Sequence, residues 1–236
     1  MKNMPMNKSK GNMYGWVDYT WNVIKGRCPH DCVYCYMKRF PQKPFRFDMK
    51  ELKTNLGSGN TIFVGSSCDM WAEEVSTGWI MKILEHCKKY PDNTYLFQSK
   101  NPARFYQLYD ILPKKVILGT TLETNRNTTN ISKAPPISYR SFYMWYISNF
   151  RHVDTMISIE PIMDFDLGLF VEMIDKIRPK FVSIGADSKG HNLPEPPAWK
   201  VEQLIIELKE FTEVRVKENL NRILEGNNHK EGGGKP

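Results

Sequence analysis

The sequence predicts an α/β protein, a partial TIM-like (β/α)6 barrel of parallel strands with one candidate extra strand at the C-terminus. Three observations carry that expectation. Short apolar runs alternate with amphipathic stretches along most of the chain, as in a parallel sheet built of βα units. Roughly seven such runs fit into 236 residues, fewer than a full eight-fold barrel needs. Polar and ionisable residues recur at the C-terminal ends of the runs, where βα barrels keep their reactive groups. An open doubly wound sheet is the alternative arrangement.

The elements follow in order. Residues 1–13 read as a flexible N-terminal arm, and 14–225 as a single domain with one core. Residues 15–24 (GWVDYTWNVI) are aromatic and β-branched and predict the first strand. A cysteine-rich loop follows directly, then a basic, proline-broken connection over 39–47. Asp48 and Glu51 form a capping box for a short helix that stops at Gly57. Residues 61–65 make a short apolar strand that runs into Ser66, Ser67, Cys68 and Asp69. Ile80, Ile83, Leu84 and Cys87 then recur at helical spacing, which puts Cys87 on a buried face.

The unit repeats. A strand over 94–97 ends in Gln98 and Lys100, with a helix expected over 102–112. A strand over 116–119 leads to Thr121 and Glu123, and one over 156–159 ends at Glu160. A helix over 167–177 precedes a strand over 181–185 that ends near Asp187 and Ser188. A helix over 198–211 leads to the candidate last strand, 214–217, which ends on Lys217. Residues 226–236 (GNNHKEGGGKP) have the composition of a disordered tail.

No run approaches a membrane span, and the start lacks the apolar core of a secretory signal. Clustered cysteines without a disulfide framework fit a reducing compartment, so a cytoplasmic protein with no membrane partner is expected. The net charge of +7 favours anionic partners: nucleic acid, acidic redox proteins or phosphorylated ligands. The lysines are spread along the chain, so a solvated basic surface accounts for the charge equally well.

Residues 27–36 (RCPHDCVYCY) hold Cys28, Cys32 and Cys35 in a C-x3-C-x2-C spacing. Thiolate is the soft ligand that zinc and iron–sulfur clusters both select. A structural zinc site takes four protein ligands, commonly with a second cysteine pair, whereas Cys68 and Cys87 are isolated. A [4Fe–4S] cluster normally takes four cysteines, so three leave one iron open to a reactive ligand. Zinc, a cluster and plain structural thiols are all compatible with this motif alone.

With Tyr34 just before its third cysteine, the motif resembles the signature of the radical SAM superfamily, and CPHDCVYCY is similar to the cluster loop of its spore photoproduct lyase branch. The order TWN, CPHDCVYCY, IFVGSSCDMW, YLFQSKNPARF, ILGTTLETN, ISIEPIMDF and VSIGADS spans nearly the whole chain. It resembles a phage- and bacterium-encoded radical SAM family of largely unknown function. GADS departs from that family's GGES-like segment, and GSSCD departs from the superfamily's Gly-Gly-Glu-like segment.

The resemblance implies a [4Fe–4S] cluster on Cys28, Cys32 and Cys35, with S-adenosyl-L-methionine on the open iron. Reductive cleavage would give a 5′-deoxyadenosyl radical that abstracts hydrogen from a substrate. Ser66, Ser67 or Asp69 would offer oxygen acceptors to the methionyl ammonium, and Thr121 and Glu123 would meet the ribose and carboxylate. The backbone around Tyr34 and Tyr36 would meet the adenine, and Asp187 completes the expected cofactor contacts. A flavodoxin- or ferredoxin-type protein would supply the electron.

Cys68 is a candidate hydrogen-atom donor, against the plainer role of a small residue filling space behind the cofactor. Glu160 and Lys217 are candidate substrate-binding or acid–base groups, against a role in organising the barrel loops. His30 reads as a loop residue, because its neighbours already provide thiolates. The dense aromatic patch over 139–150, which contains Arg140, suits either base stacking or a helix covering the barrel. Nucleic acid or a nucleotide is therefore the first substrate class expected. A peptide or small metabolite is the second, and a non-catalytic metal-binding module on nucleic acid is the alternative outside enzymes.

Overall fold

The computed structural model describes residues 6–11, 13–128 and 130–225. In chain order its first elements are β1 (Asn7–Lys8), β2 (Tyr19–Trp21), β3 (Ile24–Lys25), β4 (Arg46–Phe47) and β5 (Thr61–Val64). Then come α1 (Thr77–Lys88), β6 (Thr94–Gln98), α2 (Ala103–Gln107), β7 (Val116–Thr121) and α3 (Ile137–Phe150). The last are β8 (Asp154–Ile159), α4 (Leu167–Ile177), β9 (Phe181–Ile184), α5 (Ala198–Lys209), β10 (Glu213–Val216) and α6 (Asn221–Glu225).

The main sheet runs β1-β2-β5-β6-β7-β8-β9-β10. Every pair from β2 to β10 is parallel, and only β1 lies antiparallel on its neighbour. The strands follow one another without the reversal of order that marks a doubly wound sheet, so the winding is that of a barrel. Among the described residues β1 and β10 do not pair, which makes the barrel partial. The expected C-terminal strand is present as β10.

Side-chain alternation along the strands builds two apolar layers. Phe63, Leu96, Ile117, Met156 and Phe181 point into the barrel and pack with Tyr14 and Val17. Their neighbours Val64, Phe97, Leu118, Ile157 and Val182 point outward and meet Ile80, Ile147, Ile174 and Leu204 of the helices. Cys87 is fully buried in that outer layer, as its spacing requires. Above the inner apolar layer the inward positions turn polar: Thr121, Ser158 and Ser183 lie in register across β7, β8 and β9. A change from apolar to polar along the strand direction puts a wet chamber at their C-terminal ends.

Several expected elements take a different form. The first strand is only three residues long, because after it the chain leaves the sheet and pairs Ile24 with Phe47 in a separate two-stranded ribbon. The helix after Asp48 is a 3-10 turn over Met49–Lys53, capped by Asp48 accepting from the Lys50 N–H at 3.2 Å. The helix expected over 102–112 breaks at Leu108 into α2 and a 3-10 turn over Tyr109–Ile111. Within the expected arm, Asn7 and Lys8 pair with Thr20 and Tyr19. The tail expected over 226–236 lies outside the described residues. Among the described residues no helix is long and apolar enough to cross a membrane.

Candidate active site

The chamber at the strand ends is a cavity of about 300 Å³. Cys28, Cys32 and Cys35 line one wall, and Ser66, Ser67, Cys68 and Asp69 of the β5 end line the next. Gln98, Lys100, Thr121, Ser158, Glu160, Asp187 and Lys217 come from the ends of the remaining strands. The strand-end residues singled out from the sequence therefore meet in one place, except Glu123, which sits just behind the wall. All five cysteines are free thiols. Among the described residues, no three thiol, imidazole or carboxylate groups close around a single metal-ion position.

The cysteine loop is held from three sides. His30 Nε2 lies 2.8 Å from Asp69 Oδ2, and the same carboxylate accepts from Ser99 Oγ at 2.8 Å and Lys100 N at 2.9 Å. Its other oxygen accepts from Trp71 N at 2.9 Å. Burial pushes the Asp69 carboxyl up, but the His30 ring and the donated hydrogen bonds outweigh it and hold the group low. Asp69 thus ties the loop to the ends of β5 and β6. Ser132 supplies a second tie: it accepts from Cys32 Sγ at 3.3 Å and donates to the His30 carbonyl at 3.1 Å.

The third tie is a buried ionic network. The Glu123 carboxylate receives the Tyr34 hydroxyl and the Lys100 ammonium on one oxygen and the Arg140 guanidinium, at 2.8 Å, on the other. Burial alone raises the Glu123 carboxyl, yet Lys100 and Arg140 bring it down to about 2. Arg140 also donates to the carbonyls of Thr121 and Pro135, at 2.9 and 2.7 Å. The one cation of the aromatic patch is therefore turned inward on α3, and Phe142 and Phe150 are left exposed without it.

On the opposite wall Lys217 Nζ stands 2.7 Å from Glu160 Oε2, and Ser183 Oγ donates to Oε1 at 2.6 Å. A Cβ on Gly185 would lie 3.3 Å from the Glu160 side chain, so its absence leaves the pair room. Tyr14 fills the barrel floor beneath, its hydroxyl donating to Gln98 Oε1 at 2.8 Å and lying within hydrogen-bond distance of Ser158 Oγ at 3.0 Å. Gln98 in turn donates to Thr121 Oγ1 at 3.2 Å. Asp187 faces the cavity but binds His191 Nδ1 at 2.7 Å and the Lys189 N–H at 3.1 Å within its own loop.

Cys68 is 2% exposed and within hydrogen-bonding reach of Cys28. That contact lowers the Cys28 thiol to about 7 against the opposing effect of burial, and it pushes Cys68 up. Tyr36 reaches from the cysteine loop to the Ser66 carbonyl at 3.0 Å. Asn22, just past β2, orients the β5 end by accepting from Ser67 N at 2.9 Å and Ser66 Oγ at 3.3 Å. The sequence reading puts Asn22 inside the expected first strand, and it gives no sign of Ser132, whose partners are 100 or more residues away.

Fold and site together define an α/β partial barrel that carries a three-cysteine loop at the C-terminal mouth of its parallel strands. The chain belongs to the family described as "Protein of unknown function (DUF5131)", whose model matches residues 12–202. No curated protein matches it at a significant level. Among solved structures, it is similar to a doubly substituted spore photoproduct lyase with bound AdoMet and dinucleoside spore photoproduct. That match has a TM-score of 0.67 at 11% identity, over 88% of this chain and 78% of the other. A singly substituted variant of the same lyase gives 0.66 at 13% identity, over 92% and 79%. At such identities the likeness establishes a shared fold, the partial TIM barrel of that lyase.

Proposed function

We propose that the protein is a radical SAM enzyme acting on nucleic acid or a nucleotide. The observation that carries this reading is the position of three free cysteines, in C-x3-C-x2-C spacing, on the wall of the cavity at a parallel barrel's mouth. The donor set fits a [4Fe–4S] cluster with one open iron: three thiols on one short loop, with no fourth cysteine at paired spacing. Cys28, Cys32 and Cys35 would hold it. When bound with S-adenosyl-L-methionine and reduced by a flavodoxin- or ferredoxin-type donor, the cluster supplies a 5′-deoxyadenosyl radical that abstracts hydrogen from the substrate.

The chain's own residues bind, position and shield. Ser66 and Ser67, fixed by Asn22, present oxygens to the methionyl ammonium, and Thr121 presents its hydroxyl to the ribose. Tyr34 and Tyr36 frame the adenine with their backbone. Asp69 and Glu123 have their oxygens engaged within the protein, so they serve the cofactor by fixing the walls around it. Asp187 shapes the far rim. Cys68, at the end of β5 and on the cavity wall, would give a hydrogen atom to a substrate radical, and Glu160 with Lys217, on the opposite wall, would meet the substrate. Several of the spore photoproduct lyase structures hold a dinucleoside spore photoproduct, which favours a nucleotide over a peptide.

The test is anaerobic reconstitution, dithionite reduction and chromatography for 5′-deoxyadenosine, comparing wild type with Cys32→Ala. Wild type should form it and the variant should not. A brown, fully loaded wild type that forms none with or without added nucleic acid would refute the reading.

A further inference from the structure

The positive charge is concentrated in one stretch. Residues 25–53 hold eight lysines and arginines against three acids, five of the chain's net seven positive charges. The same stretch carries the cysteines. Pairing of β3 with β4 closes its base, and the Arg27 N–H donated to the Lys43 carbonyl at 2.8 Å ties the two arms, so 24–47 form one excursion from the barrel. Lys25 and Lys38 are paired, with Asp48 and Glu51 and with Asp31. Arg27, Arg39, Lys43, Arg46, Lys50 and Lys53 are exposed, and none has an ion-pair partner among the described residues.

Exposed rings are interleaved with these cations. Phe40 is 46% exposed and carries the Arg39 guanidinium 4.7 Å from its ring centre. Tyr36 is 42% exposed and also lines the cavity. The 3-10 turn Tyr36–Arg39 therefore leads from the cavity wall straight to the exposed cations.

We propose that this excursion is the track on which single-stranded nucleic acid is held, with phosphates on Arg39, Lys43 and Arg46 and bases on Phe40 and Tyr36. A nucleotide of the bound strand is thereby presented to the cavity past Tyr36. The proposal rests on the nucleic-acid reading given above and assigns it a surface. Charge alone also draws an acidic protein. Unpaired cations alternating with exposed rings suit a polymer that offers a phosphate and a base at every step.

The experiment is fluorescence anisotropy of labelled oligothymidylate on the reconstituted full chain, titrated from about 50 to 200 mM salt. Reversing three charges in R39E/K43E/R46E should weaken binding on the order of tenfold at the low-salt end and flatten the logarithmic salt slope by about two. Phe40→Ala should weaken it about fivefold or more and leave the slope unchanged, because stacking releases no counterions. The control K88E/K89E/K114E makes the same change in net charge at the N-terminal end of the strands and should shift affinity by less than about twofold. Absence of binding overturns the proposal, as does equal weakening by the two triple variants. So does a track variant that loses an acidic flavodoxin while keeping the oligonucleotide. Binding is read without reductant, so its failure beside normal 5′-deoxyadenosine formation removes the track and leaves the radical chemistry standing.

Discussion

One buried carboxylate, Asp69, shows how the site is assembled from single residues. Its position after a strand was legible in the sequence and suggested an acceptor for the cofactor's ammonium. Its four donors come from His30, Trp71, Ser99 and Lys100, residues brought together only by the fold. Asp69→Ala leaves those donors facing a void and should cost about 3 kcal/mol, read from the urea midpoint. Glu123 makes a second prediction through pH. Its folded carboxyl lies at about 2 against an ordinary 4.5, so its contribution is present above pH 4.5 and is lost as pH falls toward 2. Wild type should lose about 3 kcal/mol across that window that Glu123→Gln does not lose. Parallel stability curves for the two proteins would contradict the network.

At the scale of elements, short continuous apolar runs located the strands, since their outward and inward residues are both buried. Their ends were less legible. β7 and β8 each extend two residues beyond the expected run, at the C-terminal end of β7 and the N-terminal end of β8. There polar Thr120, Thr121, Asp154 and Thr155 replace the apolar signal. The ribbon of β3 and β4 went unseen because two-residue strands separated by a long loop leave no periodic trace. Gly119 is the clearest packing constraint on a strand: a Cβ there would come within 2.8 Å of Met156 Cγ. Gly119→Val should therefore destabilise the protein by about 2 kcal/mol. Gly15→Ala, where a Cβ meets nothing within 4 Å, should be nearly neutral in the same thermal-melt comparison.

For the whole molecule, the count of βα units and the polar strand ends announced a partial barrel with its site at the C-terminal mouth. The cations over 25–53 stand together in the sequence, but only the fold shows that six of them are exposed with no ion-pair partner among the described residues. Arg140 illustrates the point. It stands among surface aromatics in the sequence, yet it is buried against Glu123. If the three cysteines hold a cluster that receives S-adenosyl-L-methionine, ligand and fold are linked. At one hundred times its dissociation constant the ligand should stabilise reconstituted wild type by about 2.7 kcal/mol and leave Cys32→Ala unchanged. The most direct measurement is the electron paramagnetic resonance spectrum of the reconstituted, dithionite-reduced protein before and after S-adenosyl-L-methionine is added. The account predicts a reduced iron–sulfur signal in wild type that changes shape on addition, reporting ligand binding at the open iron. A wild-type signal identical with and without the ligand, or a colourless zinc-loaded protein that takes up no cluster, would contradict it.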